Sequence, residues 1–276
     1  MKGVIFYYSG TGNTALACRS LASRMPVPFD LVDITRAVDV DLGSADFVGF
    51  ATSTDFWGVP KALERFVESL PRQEAKPAFV LNTYGAVSGQ TLRILLEQVT
   101  GKGFDVLAGH SLRMPESYPP MIAGKMGAAG SPGKRELRSF DGFVSELGGL
   151  VGALQDGHHV GGHKPQIGVV NGLFPRRART TARDDMGEKH VDVSACTECG
   201  VCERLCPYGA IKLDPKPVFD MSTCYGCWRC YNRCPEHAIY TDKFRGGPYY
   251  TGPSKLLREK LGMDAVGKSV EPPAST

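Results

Sequence analysis

The placement of the cysteines constrains this chain more than any other feature. Eight of the nine lie within residues 196–234, and residues 1–195 contain only Cys18. The eight form a repeat with an offset of 28 residues. Asp192, Ser194, Cys196, Cys199, Cys202, Cys206-Pro207 and Ala210-Ile211 recur as Asp220, Ser222, Cys224, Cys227, Cys230, Cys234-Pro235 and Ala238-Ile239. Each copy reads Cys-x2-Cys-x2-Cys-x3-Cys-Pro. A disulfide scaffold would draw on cysteines throughout the chain. Confinement to one segment instead argues for a metal or cluster module joined to a larger, cysteine-poor domain in a reducing compartment. Structural zinc sites usually use two separated cysteine pairs. A third cysteine at the same short spacing, the proline and the repetition all depart from that pattern. Cys18, on an expected helix, reads as a small buried hydrophobe.

The spacing resembles that of the bacterial two-cluster ferredoxins. The resemblance implies crossed ligation, in which three close thiolates hold one cubane and the fourth, before proline, completes the other. Cys196, Cys199, Cys202 and Cys234 would then hold one [4Fe-4S] cluster, and Cys224, Cys227, Cys230 and Cys206 the second. Gly200, Gly209 and Gly226, beside the sulfurs, are expected to leave backbone N–H groups free to bond to them and tune the potential.

The remaining composition is that of an ordinary globular chain. Of 276 residues, 42% are apolar, enough for a buried core. A net charge of +3 is too small to imply nucleic acid as a partner. That charge is unevenly spread: residues 191–242 carry −2, between segments of +3 on each side. No apolar run approaches the roughly 18 residues of a membrane span. The N-terminal run reads as a strand and a turn, with no leader. The expected location is the cytoplasm.

Residues 1–156 alternate strand and helix. Gly3–Tyr8, Phe29–Ile34, Asp46–Ala51, Ala78–Asn82 and Asp105–Ser111 read as strands. Thr14–Met25, Pro60–Leu70, Gln90–Thr100 and Phe140–Leu154 read as helices. This predicts an α/β, doubly wound, five-stranded parallel sheet. Met114–Gly133 reads as an irregular loop. Residues 157–190 form a connector broken by glycine and proline, 191–242 the cysteine module, a small α+β domain, and 243–276 a basic tail.

After the first strand comes Ser9-Gly10-Thr11-Gly12-Asn13-Thr14, opening a helix, a pattern suited to binding an anion with backbone N–H groups and hydroxyls. No lysine follows the glycines, so it is not a Walker A loop. Gly10-x-Gly12-x-x-Ala15 with Asp33 about 20 residues on also fits a dinucleotide fingerprint. The three hydroxyls and the lack of a second mononucleotide-binding half favour a phosphate monoester.

The loop resembles the FMN-phosphate motif of the flavodoxin family. Two further segments fit that resemblance: Ser53-Thr54-Asp55-Phe56-Trp57-Gly58 after the third strand, and Asn82-Thr83-Tyr84-Gly85 with Gly89 after the fourth. It implies that these loops flank a flavin, with Trp57 and Tyr84 as candidates to stack on it. It also implies that the Trp57-Gly58 peptide turns its carbonyl toward the flavin and stabilises a neutral semiquinone, Gly58 tolerating φ > 0. With the cysteine repeat, the chain resembles flavodoxin–ferredoxin fusion proteins, flavodoxin domain first.

The function this implies is electron transfer between two [4Fe-4S] clusters and FMN, to or from a partner redox protein. The alternative is FMN-dependent reduction of a small organic substrate, the clusters recharging the flavin. Asp55 and Tyr84 are single, weak candidates for a general acid, and Tyr118 either covers the ring or packs. His158, His159 and His163 read as a solvated linker. Arg176, Arg177, Arg179 and Arg183 read either as solvated or as docking the acidic module or an acidic partner. Ser254–Leu261 reads as a short helix turning Leu256, Leu257 and Leu261 to the protein or to a second copy in a homodimer. Glu271–Thr276 reads as disordered.

Overall fold

A computed structural model of the chain describes residues 1–36, 41–158, 160–161, 165 and 173–263. His159, His163 and Glu271–Thr276 lie outside the described residues. The first half runs β1 (Gly3–Tyr7), α1 (Asn13–Ala22), β2 (Phe29–Asp33), β3 (Phe47–Ser53), α2 (Lys61–Ser69), β4 (Lys76–Tyr84), α3 (Thr91–Gly101), β5 (Phe104–Arg113), α4 (Pro119–Ala123) and α5 (Lys134–Gln155). The second half adds α6 (Thr181–Met186), β6 (Lys189–Val191), α7 (Val201–Leu205), β7 (Ile211–Asp214), β8 (Lys216–Phe219), α8 (Arg229–Arg233), β9 (Ile239–Thr241) and α9 (Lys255–Lys260).

Strands β1 to β5 form one parallel sheet in the order β2-β1-β3-β4-β5. This is the flavodoxin-like doubly wound order, whose switch point lies between β1 and β3. Gly3 is in register with Phe29 on one side and Phe47 on the other. Strand alternation sends Val4, Phe6 and Tyr8 into the layer under α2 and α3, with Leu63, Val67, Leu95 and Val99. Ile5, Phe47 and Phe79 face the opposite layer, with Leu16, Phe140 and Leu147 of α1 and α5. Cys18 is fully buried in that second layer, as its position implies, and burial pushes its thiol up to about 12.

Three segments differ from expectation. Helix α5 starts at Lys134, six residues before Phe140. Residues 134–139 carry little apolar pattern, but the Gly133 N–H donates to Glu136 Oε2 at 3.0 Å and closes the first turn. The stretch read as an irregular loop contains α4. The connector contributes α6 and the start of β6, which pairs antiparallel with β9.

The tail returns to the flavodoxin-like domain. Ser254 Oγ accepts from Leu257 N at 3.2 Å, and Leu257 and Leu261 enter the core beside α1. Leu256 instead faces solvent, 59% exposed. Among the described residues no helix is long and apolar enough to cross a membrane.

Candidate functional site

The C-terminal ends of β1, β3 and β4 open into a cleft of about 440 Å³. Its floor begins with the loop before α1. Gly12 adopts φ 105°, and Ser9 Oγ accepts from Gly12 N at 3.1 Å and Ala15 N at 3.2 Å, which folds the loop onto the helix start. Thr14 Oγ1 shares a hydrogen with Thr83 Oγ1 across 2.8 Å, joining this loop to the end of β4. Ser9, Gly10, Thr11, Asn13 and Thr14 all line the cleft.

Ser53, Thr54, Asp55, Phe56 and Trp57 form the second wall. Asp55 and Gly58 exchange both backbone hydrogen bonds at 2.9 Å, and Phe56 and Trp57 between them have φ of 42° and 65°. Positive φ at both central residues defines a type I′ turn. Gly58 itself is outside the left-handed region, contrary to the expectation that it would supply the positive φ. Its oxygen accepts from Asp55 N and Thr91 Oγ1, and the Trp57 oxygen accepts from Gln90 N. Both carbonyls of the Trp57-Gly58 pair are therefore already engaged. Thr83, Tyr84 and Gly85 form the third wall.

Four expected cofactor residues stand behind the lining. Gly12 packs on Pro253, and Gly58 packs on the Arg179 guanidinium. Gly89 backs onto the Trp57 side chain. The Asn82 amide is spent on the loops: Nδ2 donates to Thr54 Oγ1 and Ser88 Oγ, and Oδ1 accepts from Ser111 at 2.5 Å. These residues shape the cleft without facing it.

The roof, Tyr118 apart, was not legible as a site. Met114, Pro115, Glu116, Ser117, Tyr118 and Met121 line the cleft. Glu116 fixes this segment by accepting from Ala86, Ser117 and Tyr118 N–H groups. Tyr118 packs edge-on against Phe56 and Trp228, both at 5.7 Å, and bonds Asp185. Gly226, Cys227 and Trp228 of the cysteine module complete the wall. Of the arginines, Arg177 lies 5.3 Å over the Trp57 ring, and Arg179 donates to the Asp55 and Val59 carbonyls. Arg176 pairs with Glu97, and of the four connector arginines Arg183 is the one that docks the acidic module, on the Met221 and Ser222 carbonyls.

Within the module the sequence repeat is also a structural one. Asp192 N donates to Ala238 O, and Asp220 N to Ala210 O, at 2.8 and 2.9 Å. Cys196, Cys199, Cys202 and Cys234 line one small cavity. Cys206 and Cys227 pack against the apolar cluster that holds Cys224, and Cys206 and Cys234 against the one that holds Cys202 and Cys230. The first expected set thus shares one cavity, and the second spans two apolar clusters joined at Cys206. Of the three glycines expected to donate to sulfur, only Gly226 does, to Cys224 at 3.3 Å. Ala210 and Ala238 donate to Cys206 and Cys234, at 3.3 and 3.4 Å.

The donor set is made of cysteine thiols alone, as iron–sulfur clusters take. Burial pushes the Cys227 thiol up to about 12 and the Cys202 thiol to about 11. Trp228 Nε1 and Arg229 NH1 are buried without a hydrogen-bond partner. Both belong to the Cys224–Cys230 turn, where an acceptor-bearing group would satisfy them. Among the described residues no three His, Cys, Asp or Glu side chains are placed to hold a single metal ion.

Comparison with known proteins agrees with this division. The 4Fe-4S dicluster domain family matches residues 195–238. No curated protein sequence matches the chain. Among solved structures, a flavodoxin from the domain Archaea shares 18% identity over 55% of this chain and 99% of its own, with a TM-score of 0.40. A Streptococcus pneumoniae TIGR4 flavodoxin shares 17% over 54% and 99%, TM-score 0.42. The two-electron-reduced flavodoxin of Megasphaera elsdenii shares 20% over 40% and 85%, TM-score 0.37. The strand order, not these likenesses, carries the fold assignment. The chain combines a flavodoxin-like α/β domain with a 4Fe-4S domain, as its resemblance to flavodoxin–ferredoxin fusion proteins implies.

Proposed function

We propose that the chain is an electron carrier that holds FMN in the cleft and two [4Fe-4S] clusters on its cysteine repeat, and that it exchanges electrons with a partner redox protein in the cytoplasm. The observation that carries this reading is that Cys227 and Trp228 line the same cleft as Ser9, Trp57 and Tyr84. The set Cys206, Cys224, Cys227 and Cys230 would then hold the flavin-side cluster. The other set includes Cys199, which is exposed and offers the partner its approach. The clusters supply one-electron steps and the flavin one- or two-electron steps. The chain's own residues position and insulate. The Ser9–Thr14 loop receives the phosphate, the Asp55–Gly58 turn and Tyr84 flank the ring, and Tyr118 and Trp228 exclude water between the two centres.

One observation favours reduction of a small organic substrate as a second reading. Asp55 lines the cleft, and burial raises its carboxyl to about 7, with Arg179 opposing and Glu64 adding to the rise. A carboxylic acid poised there could give a proton to a reduced substrate. Anaerobic purification with iron, sulfide and flavin analysis tests the main reading. About eight iron, eight sulfide and one FMN per chain are expected, and zinc without sulfide, or no flavin, refutes it. Oxidation of the photoreduced protein by small acceptors alone would favour the second reading. Oxidation only with a partner protein favours the first.

A further inference from the structure

Lys189 stands on β6 against the second set of cysteines. It is 8% exposed, and its Nζ donates to Cys224 Sγ at 3.0 Å. That contact sets its ammonium against the set Cys206, Cys224, Cys227 and Cys230. A buried ammonium is costly unless an anion meets it, and the anions placed to do so here are cluster-ligating thiolates.

The repeat supplies an internal control. With the 28-residue offset, Lys189 corresponds to Pro217. The strand partners correspond too: Lys189 is in register with Thr241, and Pro217 with Leu213. Pro217 and Leu213 line the cavity of Cys196, Cys199, Cys202 and Cys234. A cation therefore stands beside one cysteine set where a proline ring stands beside the other. Ala210 and Ala238 donate alike to Cys206 and Cys234; the flavin-side set has one further backbone donor, Gly226 to Cys224, which acts in the same direction as Lys189 and is left in place when Lys189 is replaced.

One-electron reduction adds a negative charge to a cluster. A fixed positive charge and an N–H···S bond favour that reduced form and raise the potential. Solvent at Cys199 raises the potential of the other cluster. Lys189 outweighs it because its charge sits against sulfur in a buried, low-dielectric site. Resting on the reading above that the repeat holds two clusters beside FMN, we propose that Lys189 sets the flavin-side cluster above its twin in potential, so that an electron entering on the Cys199 side comes to rest beside the flavin cleft. One cluster loses an electron as the other gains it, and no bond or proton moves. The first electron comes from a one-electron donor, dithionite in the test.

The test is a dithionite titration of the full anaerobic protein followed by EPR, on wild type, Lys189→Met and Lys189→Gln. A Cys199→Ser variant marks the wave of the surface-side cluster. Wild type should show two waves, the flavin-side one higher. Lys189→Met should lower that wave by at least tenfold in equilibrium constant, 59 mV for one electron, and leave the marked wave in place. Lys189→Gln keeps a donor without the charge and should fall between; it decides the matter if the Met variant does not load iron. Unmoved waves in a variant with full iron and sulfide overturn the role of Lys189 alone, as does movement of the marked wave. Absence of iron and sulfide from wild type overturns the functional reading and this inference with it.

Discussion

Tyr250 donates its hydroxyl hydrogen to Asn13 Oδ1 across 2.5 Å, joining the C-terminal segment to the first residue of α1. The same amide donates through Nδ2 to Pro115 O at 2.9 Å, so Asn13 is braced by both the tail and the cleft roof. Burial pushes the Tyr250 phenol up to about 12, and it remains a donor across the neutral range. Tyr250→Phe keeps the ring and removes the donor. The expected effect is a loss of about 0.5–1.5 kcal/mol, roughly two- to tenfold in FMN affinity, read by quenching of flavin fluorescence. An unchanged Kd would show that the tail does not support the phosphate loop.

Asp55 gives a pH dependence of definite sign. Its carboxyl is raised from 3.8 to about 7, first by burial. Between those values the folded protein holds a proton that the unfolded chain has released, so stability from this group falls as pH rises through that window. Asp55→Asn stays neutral throughout. The variant should match wild type near pH 4 and become relatively more stable toward pH 8, as measured by urea midpoints at both ends. A constant difference across the range would refute the assignment.

His110 acts in the opposite direction. Its ring stacks on Phe143 at 5.0 Å, Nε2 has no partner, and burial lowers it from 6.5 to about 4. The unfolded chain takes up the proton first, so stability is lost as pH falls from about 6.5 to 4. His110→Phe should flatten that acid limb in thermal melts at pH 4.5 and 7 while leaving the neutral Tm within a few degrees. A variant as acid-sensitive as wild type would place the sensitive group elsewhere.

The five parallel strands were legible because each is a short apolar run between turn residues, and α2 because Leu63 and Val67 recur at helical spacing. The cysteine module was legible because its Cys-x2-Cys-x2-Cys-x3-Cys-Pro spacing recurs at a fixed offset of 28 residues. The cleft roof, Tyr118 apart, was not. Met114–Tyr118 has no periodicity, and its shape depends on Glu116 meeting N–H groups from two segments. Nor was the arrangement of the two halves. It rests on Asn232, Tyr225 and Tyr250, whose partners Ser117, Arg65 and Asn13 lie 115, 160 and 237 residues away. Lys189 looked like one more connector charge, because only folding places it against Cys224.

Gly226 has φ +68°, and a Cβ there would stand 2.5 Å from the Ala182 carbonyl carbon and the Arg183 nitrogen. Backbone cannot yield as a side chain does. Gly209 has a similar φ of +64° with open space around it. Gly209→Ala should therefore cost only the left-handed strain, about 1 kcal/mol. Gly226→Ala should cost that plus the displacement of α6 from the cysteine turn, more than 2 kcal/mol in all. Denaturant midpoints of the two variants make the comparison, and equal losses would refute the close approach.

Arg179 holds the cleft turn from behind. A single guanidinium nitrogen donates to Asp55 O at 2.9 Å and Val59 O at 3.0 Å, while the other terminal nitrogen donates to Arg177 O at 2.9 Å. The turn it spans places two aromatic residues at positive φ, a conformation that persists only when its surroundings fix it. The fork is what reaches three carbonyls at once, and an ammonium has no such geometry. Arg179→Lys should therefore fail to rescue. Both Lys and Met variants should lose about 1.5–3 kcal/mol at this turn, tenfold or more in FMN affinity. The Met variant should also push Asp55 further above about 7, because the charge opposing its rise is gone. Flavin titrations of the two variants, with the pH dependence of each, check both parts. Wild-type affinity in Arg179→Lys would show that charge alone holds the turn.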